Sequence, residues 1–543
     1  MKLVCRPSKL SLIQAGIVKG KIEKLFPDIR VEIISKPSLG DLNQDVPIYA
    51  LGEKDVFTKD IDAWLLSGAA DLAVHSMKDV SVEQYQSAEF VTAVVEREIP
   101  HDVVIFNPNI ETLIAEKKTI RIGTSSLRRE TLVPPFLKKA LPHGASTAII
   151  IMPIRGNVDT RLKKLRAGEY DGIVLAAAGL NRLLNSENSC EQSAVSFEQF
   201  ESQPIAHSSQ ITTHSLLKDI KKMFLPLIEC TPAPAQGAIL AVALGSNKKT
   251  AAILEKINDN ALSEKINAEC AIMKNFGGGC HQRFGVHAVD YRNGYFLRVA
   301  GINDKGEDIS ESHFNLKNEF DFDFKNNFSK KIFFSATDFM KYFFERKYFS
   351  EKILNEKKFG EKNFYEKILS KKNIFVAHHN AVTKNTTIIA ALEKKIVWTA
   401  GTRTWFELAQ CGIWVEGCAD GFGFDWLQNI FSKTIININA KEICVLTNEN
   451  VEHEENSQTP ERLSTYSLEA TNNAELISHL QKAYIIFWTS YMQFQFYRQF
   501  VRTDAQHCCP SGKTAEKLSA LGLNPIIFPS IKIFLEWRAT IDN

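Results

Sequence analysis

At 543 residues, with 44% hydrophobic and 24% charged side chains, the chain has the composition of a globular protein and is too long for a single core. A formal net charge of only +2 supplies no global field for nucleic acid or a membrane surface. No apolar run is long enough to span a bilayer, and ten scattered cysteines without a CxxC pair argue against both a disulfide framework and a metal site.

The opening Met1-Lys-Leu-Val-Cys-Arg-Pro7 lacks the apolar core of a signal peptide, so a cytoplasmic chain with reduced thiols is expected. Residues 2–5 read as a strand. The spacing of Leu10, Ile13, Ile17, Ile22 and Leu25 predicts a helix from Ser8 to Phe26, and Val31–Ile34 predicts a second strand. This β-α-β opening predicts an α/β domain with a largely parallel sheet.

After a predicted helix over 58–67, the strand in Ala70-Asp-Leu-Ala-Val-His75 delivers its end to Lys78-Asp79. Open α/β sheets bind ligands at the carboxyl ends of their strands. A solvated loop pair fits the spacing of Lys78 and Asp79 equally well. The next strand, Ile120–Gly123, runs into Thr124-Ser125-Ser126, whose hydroxyls suit an N-cap, and then Leu127-Arg128-Arg129. Two arginines at the positive end of a helix conflict with its dipole unless an anion binds there.

The design recurs twice more. Ala148–Ile154 leads into Arg155-Gly156-Asn157-Val-Asp159-Thr-Arg161, and Gly172–Gly179 has Arg182 just beyond it. Arginines at several strand-to-helix junctions describe a cleft for a polyanion bearing carboxylates or phosphates. No P-loop or GxGxxG accompanies them, which speaks against a nucleotide. Residues 184–215, rich in Ser, Gln, Asn and Glu, predict a mobile surface insertion.

Pro232-Ala-Pro-Ala-Gln236-Gly237 is a rigid turn into an apolar strand that leads back to the first sheet. A helix over 264–276 then ends at Gly277-Gly-Gly-Cys280, and 284–300 reads as a hairpin about Arg292-Asn-Gly294. Glycines leave the thiol unobstructed, as a covalently loaded cysteine needs. A small buried hydrophobe is the commoner role of cysteine.

Taken together, Val74-His-Ser-Met-Lys-Asp-Val80, Gly123-Thr-Ser-Ser-Leu-Arg-Arg129, Ile154-Arg-Gly-Asn-Val-Asp-Thr-Arg-Leu162, Gly168–Leu180 and Gly277-Gly-Gly-Cys280 closely resemble the hydroxymethylbilane synthase (porphobilinogen deaminase) family. The resemblance implies two periplasmic-binding-protein-like α/β domains and a small α/β third domain. It implies a dipyrromethane cofactor in thioether linkage to Cys280, on which four porphobilinogen units are deaminated and joined head to tail. Asp79 would stabilise the cationic azafulvene left by loss of ammonia. Arg6, Ser8, Lys78, Thr124, Ser125, Arg128, Arg129, Arg155, Gly156, Arg161 and Arg182 would bind cofactor and substrate carboxylates. The expected partner is the small molecule porphobilinogen, with the chain acting as a monomer.

The sequence departs from the family pattern in four places. Gly-Gly-Lys-Gly-Leu-Phe reads Gly52-Glu-Lys-Asp-Val-Phe57, and Arg-x-Ser-Pro-Leu-Ala-Leu reads Arg6-Pro-Ser-Lys-Leu-Ser-Leu12. Pro-Ala-Pro-Gly-Gln-Gly has Ala235 at its fourth position, and Ala-Glu-Arg reads Ala268-Glu-Cys270.

From 315 to 373, dense Lys, Phe, Asn and Glu predict a solvated helical region with a hidden apolar side, and Lys331–Ser335 as the first strand of a new domain. Ile396–Gly412 is a strand, a capped helix and a glycine stop. A strand over 483–488 ending in Thr489-Ser490, followed by Cys509–Gly522, gives a similar unit, so two α/β lobes are expected. Thr489-Ser490 and Ser511-Gly-Lys-Thr514-Ala-Glu-Lys-Leu518, with Ser511 where the motif has glycine, resemble the uroporphyrinogen-III synthase family. That resemblance implies that Tyr466, Ser490 and Thr514 contact the tetrapyrrole, which the unit would cyclise with inversion of ring D.

The expected domains are 1–98 with 229–246, then 99–228, 247–320 and a two-lobed 321–543. Two alternatives stay open: a monofunctional deaminase with a non-catalytic C-terminal module, and a polyanion-binding protein.

Overall fold

The computed structural model describes residues 1–38, 58–81, 84–85, 87, 89–144, 148–192, 212–276, 282–291, 294–316, 333–335, 340–356, 358–359, 362–450, 460–510, 513–528, 531, 534–535 and 538. It divides into two compact units. One holds Met1–Lys138, Ala145–Asp290 and Tyr295–Asn315; the other holds Lys139–Gly144, Tyr291–Gly294 and Leu316–Asn543. Among the described residues no helix is long and apolar enough to cross a membrane.

The first unit opens with β1 (Lys2–Cys5), α1 (Lys9–Leu25) and β2 (Glu32–Ser35), followed by α2 (Lys59–Leu66), β3 (Leu72–Ser76) and β4 (Phe90–Arg97). Next come β5 (Asp102–Phe106), α3 (Ile110–Ala115), β6 (Ile120–Gly123), α4 (Leu127–Ala140), β7 (Ile149–Met152), α5 (Val158–Arg166), β8 (Gly172–Ala176) and α6 (Ala177–Gln192). The chain continues through α7 (Thr213–Leu216), β9 (Lys222–Phe224), β10 (Ala238–Leu244), α8 (Lys248–Ile257) and α9 (Asn260–Asn275). A hairpin meander, β11 (Arg283–Tyr291), β12 (Gly294–Ile302) and β13 (Asp308–Leu316), closes the unit.

Two five-stranded sheets share one plan. The first runs β2-β1-β3-β10-β4, the second β7-β6-β8-β5-β9. In each, three parallel strands meet a fourth that is antiparallel, such as β10 against β3 with Leu240 opposite His75, and β5 against β8 with Val104 opposite Val174. In the first sheet the antiparallel strand, β10, comes from far along the chain, whereas in the second it is β5, which directly precedes β6. Leu3, Val18, Ile22, Leu72 and Ile239 are fully buried between sheet and helices. Each such side chain contributes about 1.5–3 kcal/mol by leaving water.

Caps set the helix starts. Ser8 accepts the Ser11 N–H at 3.2 Å, Asn157 accepts the Thr160 N–H at 2.9 Å, and Asp259 accepts the Leu262 N–H at 3.0 Å. The Asp259 cap starts α9 four residues before the predicted Glu264. The predicted insertion at 184–215 also needs correcting: α6 runs on to Gln192 and α7 forms at Thr213–Leu216. The apolar side of α6, with Leu180, Leu183 and Leu184 buried, carries the helix through its polar residues.

The second unit contains a four-stranded sheet of β14 (Phe333–Ser335), β23 (Ile485–Phe487), β24 (Gln506–Pro510) and β25 (Ile526–Phe528), in that order. A six-stranded sheet is ordered β15-β22-β21-β18-β19-β20. Its members are β15 (Phe344–Tyr348), β18 (Asn373–Val376), β19 (Ile396–Thr399), β20 (Val415–Cys418), β21 (Ile443–Asn448) and β22 (Glu461–Ala470). A small ribbon pairs β16 (Lys358–Phe359) with β17 (Lys362–Asn363). Helices α10 (Thr402–Gln410), α11 (Tyr491–Tyr497) and α12 (Lys513–Ala520) follow β19, β23 and β24.

The helical reading of 315–373 is corrected at β15, which is a strand, whereas β14 forms within the expected strand Lys331–Ser335. Short helices do form at Met340–Phe343, Glu351–Glu356 and Phe364–Ser370, and Phe343 and Phe364 lie on their buried side.

Candidate active site

Asp79 lies in a 3-10 turn, Met77–Asp79, immediately after β3. Behind that strand, buried His75 faces Asp62 of α2 at 3.1 Å, and the Tyr85 hydroxyl donates to Asp62 at 2.7 Å. Gln84 donates to the same carboxylate at 2.6 Å. The end of β3 is thus tied to α2 and to the segment after Asp79.

Around Asp79 cations gather from several loops. Burial lowers the pKa of the Lys78 ammonium; Asp79 opposes this, while Arg129 adds to it. Burial brings Arg161 down to about 10, Arg129 and Arg155 push the same way, and Asp79 pushes back. Burial and then the charge of Arg6 lower Arg155. The charges of Arg129 on Lys78, of Arg129 and Arg155 on Arg161, and of Arg6 on Arg155 are thus all felt, and Asp79 acts on both Lys78 and Arg161.

Local geometry aims the arginines. Gly156 adopts φ +105°, and a Cβ there would sit 2.7 Å from the Thr160 side chain. Its carbonyl accepts the Arg161 Nε–H at 2.8 Å. Ser125 donates to the Ile154 carbonyl at 2.8 Å and accepts the Ile154 N–H at 3.0 Å, locking two strand-to-helix loops together. Thr124 is buried and accepts the Ser126 N–H at 3.2 Å.

The anion demanded by Arg128 and Arg129 has an internal source. Asp102, fully buried at the start of β5, accepts from Arg128 Nη2 and Arg129 Nη2, each at 2.7 Å, and from Gln236 Nε2 at 2.9 Å. Burial would raise the Asp102 carboxyl, but the two guanidiniums hold it well below the usual carboxylate range. Arg128 also donates to Thr231 O and Arg129 to Val174 O. Arg182 is likewise engaged, with Glu96 at 3.0 Å and Gly237 O at 2.8 Å. The Nε atoms of Arg128, Arg129 and Arg182 are buried without a hydrogen-bond partner among the described residues.

Cys280 and its three glycines lie outside the described residues, as do Gly52–Phe57. The flanks of the Cys280 segment are well defined. α9 ends at Asn275, and the Gln282 amide donates to the Phe276 carbonyl at 2.9 Å, holding the two ends of the segment together. Glu269 pins α9. It is fully buried, pairs with Arg97 at 2.7 Å, and accepts the N–H groups of Ala235 and Ala288, each at 2.7 Å. Burial would raise its carboxyl, yet Arg97 and His287 keep it at about 2. Sequence reading missed Asp102 and Glu269, because neither has a local signature.

Two departures from the family pattern are now placed. Ala235, where the pattern has glycine, has φ +56° and is buried. Cys270 is a thiol whose pKa burial pushes up to about 12, so it stays protonated.

In the second unit, Ser490 caps α11, and Thr514 Oγ1 accepts the Tyr491 N–H at 3.1 Å, so these two predicted residues come together. Tyr466 lies on β22 in the other sheet, opposite Tyr348 and Asn448, and burial raises its phenol to about 12.

A family model described as porphobilinogen deaminase, dipyromethane cofactor binding domain, matches residues 1–252. The probable porphobilinogen deaminase of Pyrobaculum islandicum is 33% identical over 287 residues, covering 52% of this chain and 81% of that one. The chain belongs to the porphobilinogen deaminase family. Within it, the porphobilinogen deaminase of Thiobacillus denitrificans is 33% identical over 297 residues, 55% of this chain and 83% of its own. The probable enzyme of Picrophilus torridus is 32% identical over 321 residues, 59% of this chain and 96% of its own. Among solved structures, the probable amino-acid ABC transporter extracellular-binding protein ytmK of Bacillus subtilis covers 50% of this chain and 95% of its own. Its 10% identity and TM-score of 0.25 are too low to add to what the sheet order shows.

The residues present fit a polycarboxylate cofactor. Among the described residues, cations outnumber carboxylates around Asp79, and the buried Nε–H groups of Arg128, Arg129 and Arg182 have no hydrogen-bond acceptor.

Proposed function

We propose that the chain deaminates porphobilinogen and joins four units head to tail on a dipyrromethane held by Cys280, and that the unit after about residue 321 cyclises the product to uroporphyrinogen III. The observation that carries the first part is Asp79, a carboxylate acting on Lys78 and Arg161 among cations gathered from several loops. When bound, the dipyrromethane supplies the terminal pyrrole onto which units are added.

The chain's own side chains do the rest. Arg6, Arg155 and Arg161 receive acetate and propionate groups, for which planar guanidiniums are suited. Asp79 faces the pyrrole N–H groups and stabilises the cation that forms as the substrate loses ammonia. Arg128 and Arg129, held by Asp102, fix the opening of α4 and keep a positive wall beside Lys78. Arg182 holds the Gly237 turn against β4, and Ser8, Thr124 and Ser125 hold the loops that carry the arginines.

For the second unit, support is limited to the two-lobed α/β architecture and the meeting of Ser490 with Thr514 at strand ends. Incubating the full chain with porphobilinogen tests both parts. Consumption of porphobilinogen with formation of the type III isomer is expected. The type I isomer alone would reduce the second unit to a non-catalytic module, and no consumption would remove the deaminase reading.

A further inference from the structure

Asp79 stands on a short turn whose two sides are tied to one buried carboxylate, that of Asp62 in the first turn of α2. On the strand side, His75 Nε2 lies 3.1 Å from Asp62 Oδ1. On the far side, the Tyr85 hydroxyl reaches Oδ1 at 2.8 Å and Oδ2 at 2.7 Å, and Gln84 Nε2 donates to Oδ2 at 2.6 Å. Tyr85 Oη and His75 Nε2 are themselves 3.2 Å apart, so the donors close around the carboxylate. Gln84 also donates to Thr58 Oγ1 at 2.7 Å, just ahead of α2, and the Tyr85 ring packs edge-on against Phe90 at 5.3 Å.

Successive side chains of a strand face opposite layers. His75 turns to α2, and Ser76 turns to α1, where buried Gln14 holds it. Gln14 Nε2 donates to Ser76 Oγ at 2.9 Å, and Ser76 Oγ donates to Gln14 Oε1 at 3.1 Å. β10 pairs with the same two residues, Leu240 opposite His75 and Ile239 opposite Ser76. Asp79 is therefore carried between a strand end gripped from both layers and a following segment gripped by Asp62. A plain fastening of α2 to the sheet is the simple alternative. It accounts for His75 but not for Gln84 and Tyr85, which belong to a turn and bring their polar ends to the same oxygens. A buried network with every member satisfied rigidifies what it joins.

We propose that Asp62 is a positioning residue: through His75, Gln84 and Tyr85 it fixes the place of the Asp79 carboxylate for the deamination step, without touching the substrate. The inference rests on the reading of Asp79 as the group that stabilises the developing cation. Misplacing such a group by about 1 Å costs on the order of 10²-fold in rate. Asp62→Asn replaces one acceptor oxygen by an NH2 that faces donors, and Tyr85→Phe removes one hydroxyl while keeping the ring against Phe90.

The test measures porphobilinogen consumption by the full chain carrying each substitution, alone and combined with Asp79→Ala. Alone, Asp62→Asn should lower kcat by about tenfold or more and Tyr85→Phe by about threefold or more, with KM within about twofold of the native value. In the Asp79→Ala background the same substitutions should cost less than about twofold, because a residue acting through Asp79 has nothing left to position. If Asp62→Asn does not fold, judged by thermal unfolding, the Tyr85→Phe cycle decides alone. An unchanged kcat, a loss confined to KM, or an equal fold-loss with and without Asp79 would overturn the proposal. A near-native rate in Asp79→Ala alone would overturn the reading of Asp79 itself, and this inference with it.

Discussion

Asp102→Asn is the substitution with the clearest structural cost. The native carboxylate is fully buried and takes two 2.7 Å hydrogen bonds from Arg128 and Arg129 and one of 2.9 Å from Gln236. The amide keeps the shape but removes the charge, and its one oxygen can accept from only one of the two guanidiniums, so the other faces an NH2 donor and keeps only a backbone carbonyl, of Thr231 or Val174, as partner. Removing one partner of a buried ion pair costs about 3–5 kcal/mol. Even the lower figure changes an opening equilibrium by a factor on the order of 10². Asp102 begins β5, which is hydrogen-bonded to β8 and β9, so the second sheet takes the loss. Hydrogen–deuterium exchange measured on peptides spanning β5 and β8 should therefore quicken by about a hundredfold or more, with β1 and β3 much less affected. Exchange within about tenfold of the native chain would show that the arginines do not depend on Asp102, and the internal-anion argument would fail.

Two further outcomes follow from the geometry. Ala235→Gly should raise stability to urea by up to about 1 kcal/mol, because φ +56° is a conformation that alanine adopts at a cost and glycine does not; a loss of stability would show that the buried methyl matters more than the strain. Asp79→Ala should leave the fold intact, judged by circular dichroism and thermal unfolding, and lower porphobilinogen turnover by roughly 10²-fold or more; a near-normal rate would make Asp79 a structural partner of Lys78.

Where the chemistry is local, the sequence was readable. Ser8 and Asn157 cap the helices that their position suggested, and the Lys78-Asp79 pair does follow a strand end. The misplaced charge of Arg128 and Arg129 suggested a bound anion, where the structure places an internal carboxylate. Its identity was hidden, since Asp102 lies 26 residues before Arg128 and reaches it only through the antiparallel return of β5. Glu269 and Arg97 are 172 residues apart and meet only because β10 brings the chain back to the first sheet. Within residues 315–373 the lysines and glutamates dilute the apolar pattern, so β15 does not announce itself as a strand.

The central claim is that Cys280 is the anchor and Asp79 the working carboxylate, so peptide mass spectrometry of the purified chain is the most direct test. The account predicts a dipyrromethane adduct on the peptide containing Cys280, absent in Cys280→Ser, whose porphobilinogen turnover should also be lost. An unmodified Cys280 peptide from a chain that still consumes porphobilinogen would contradict it.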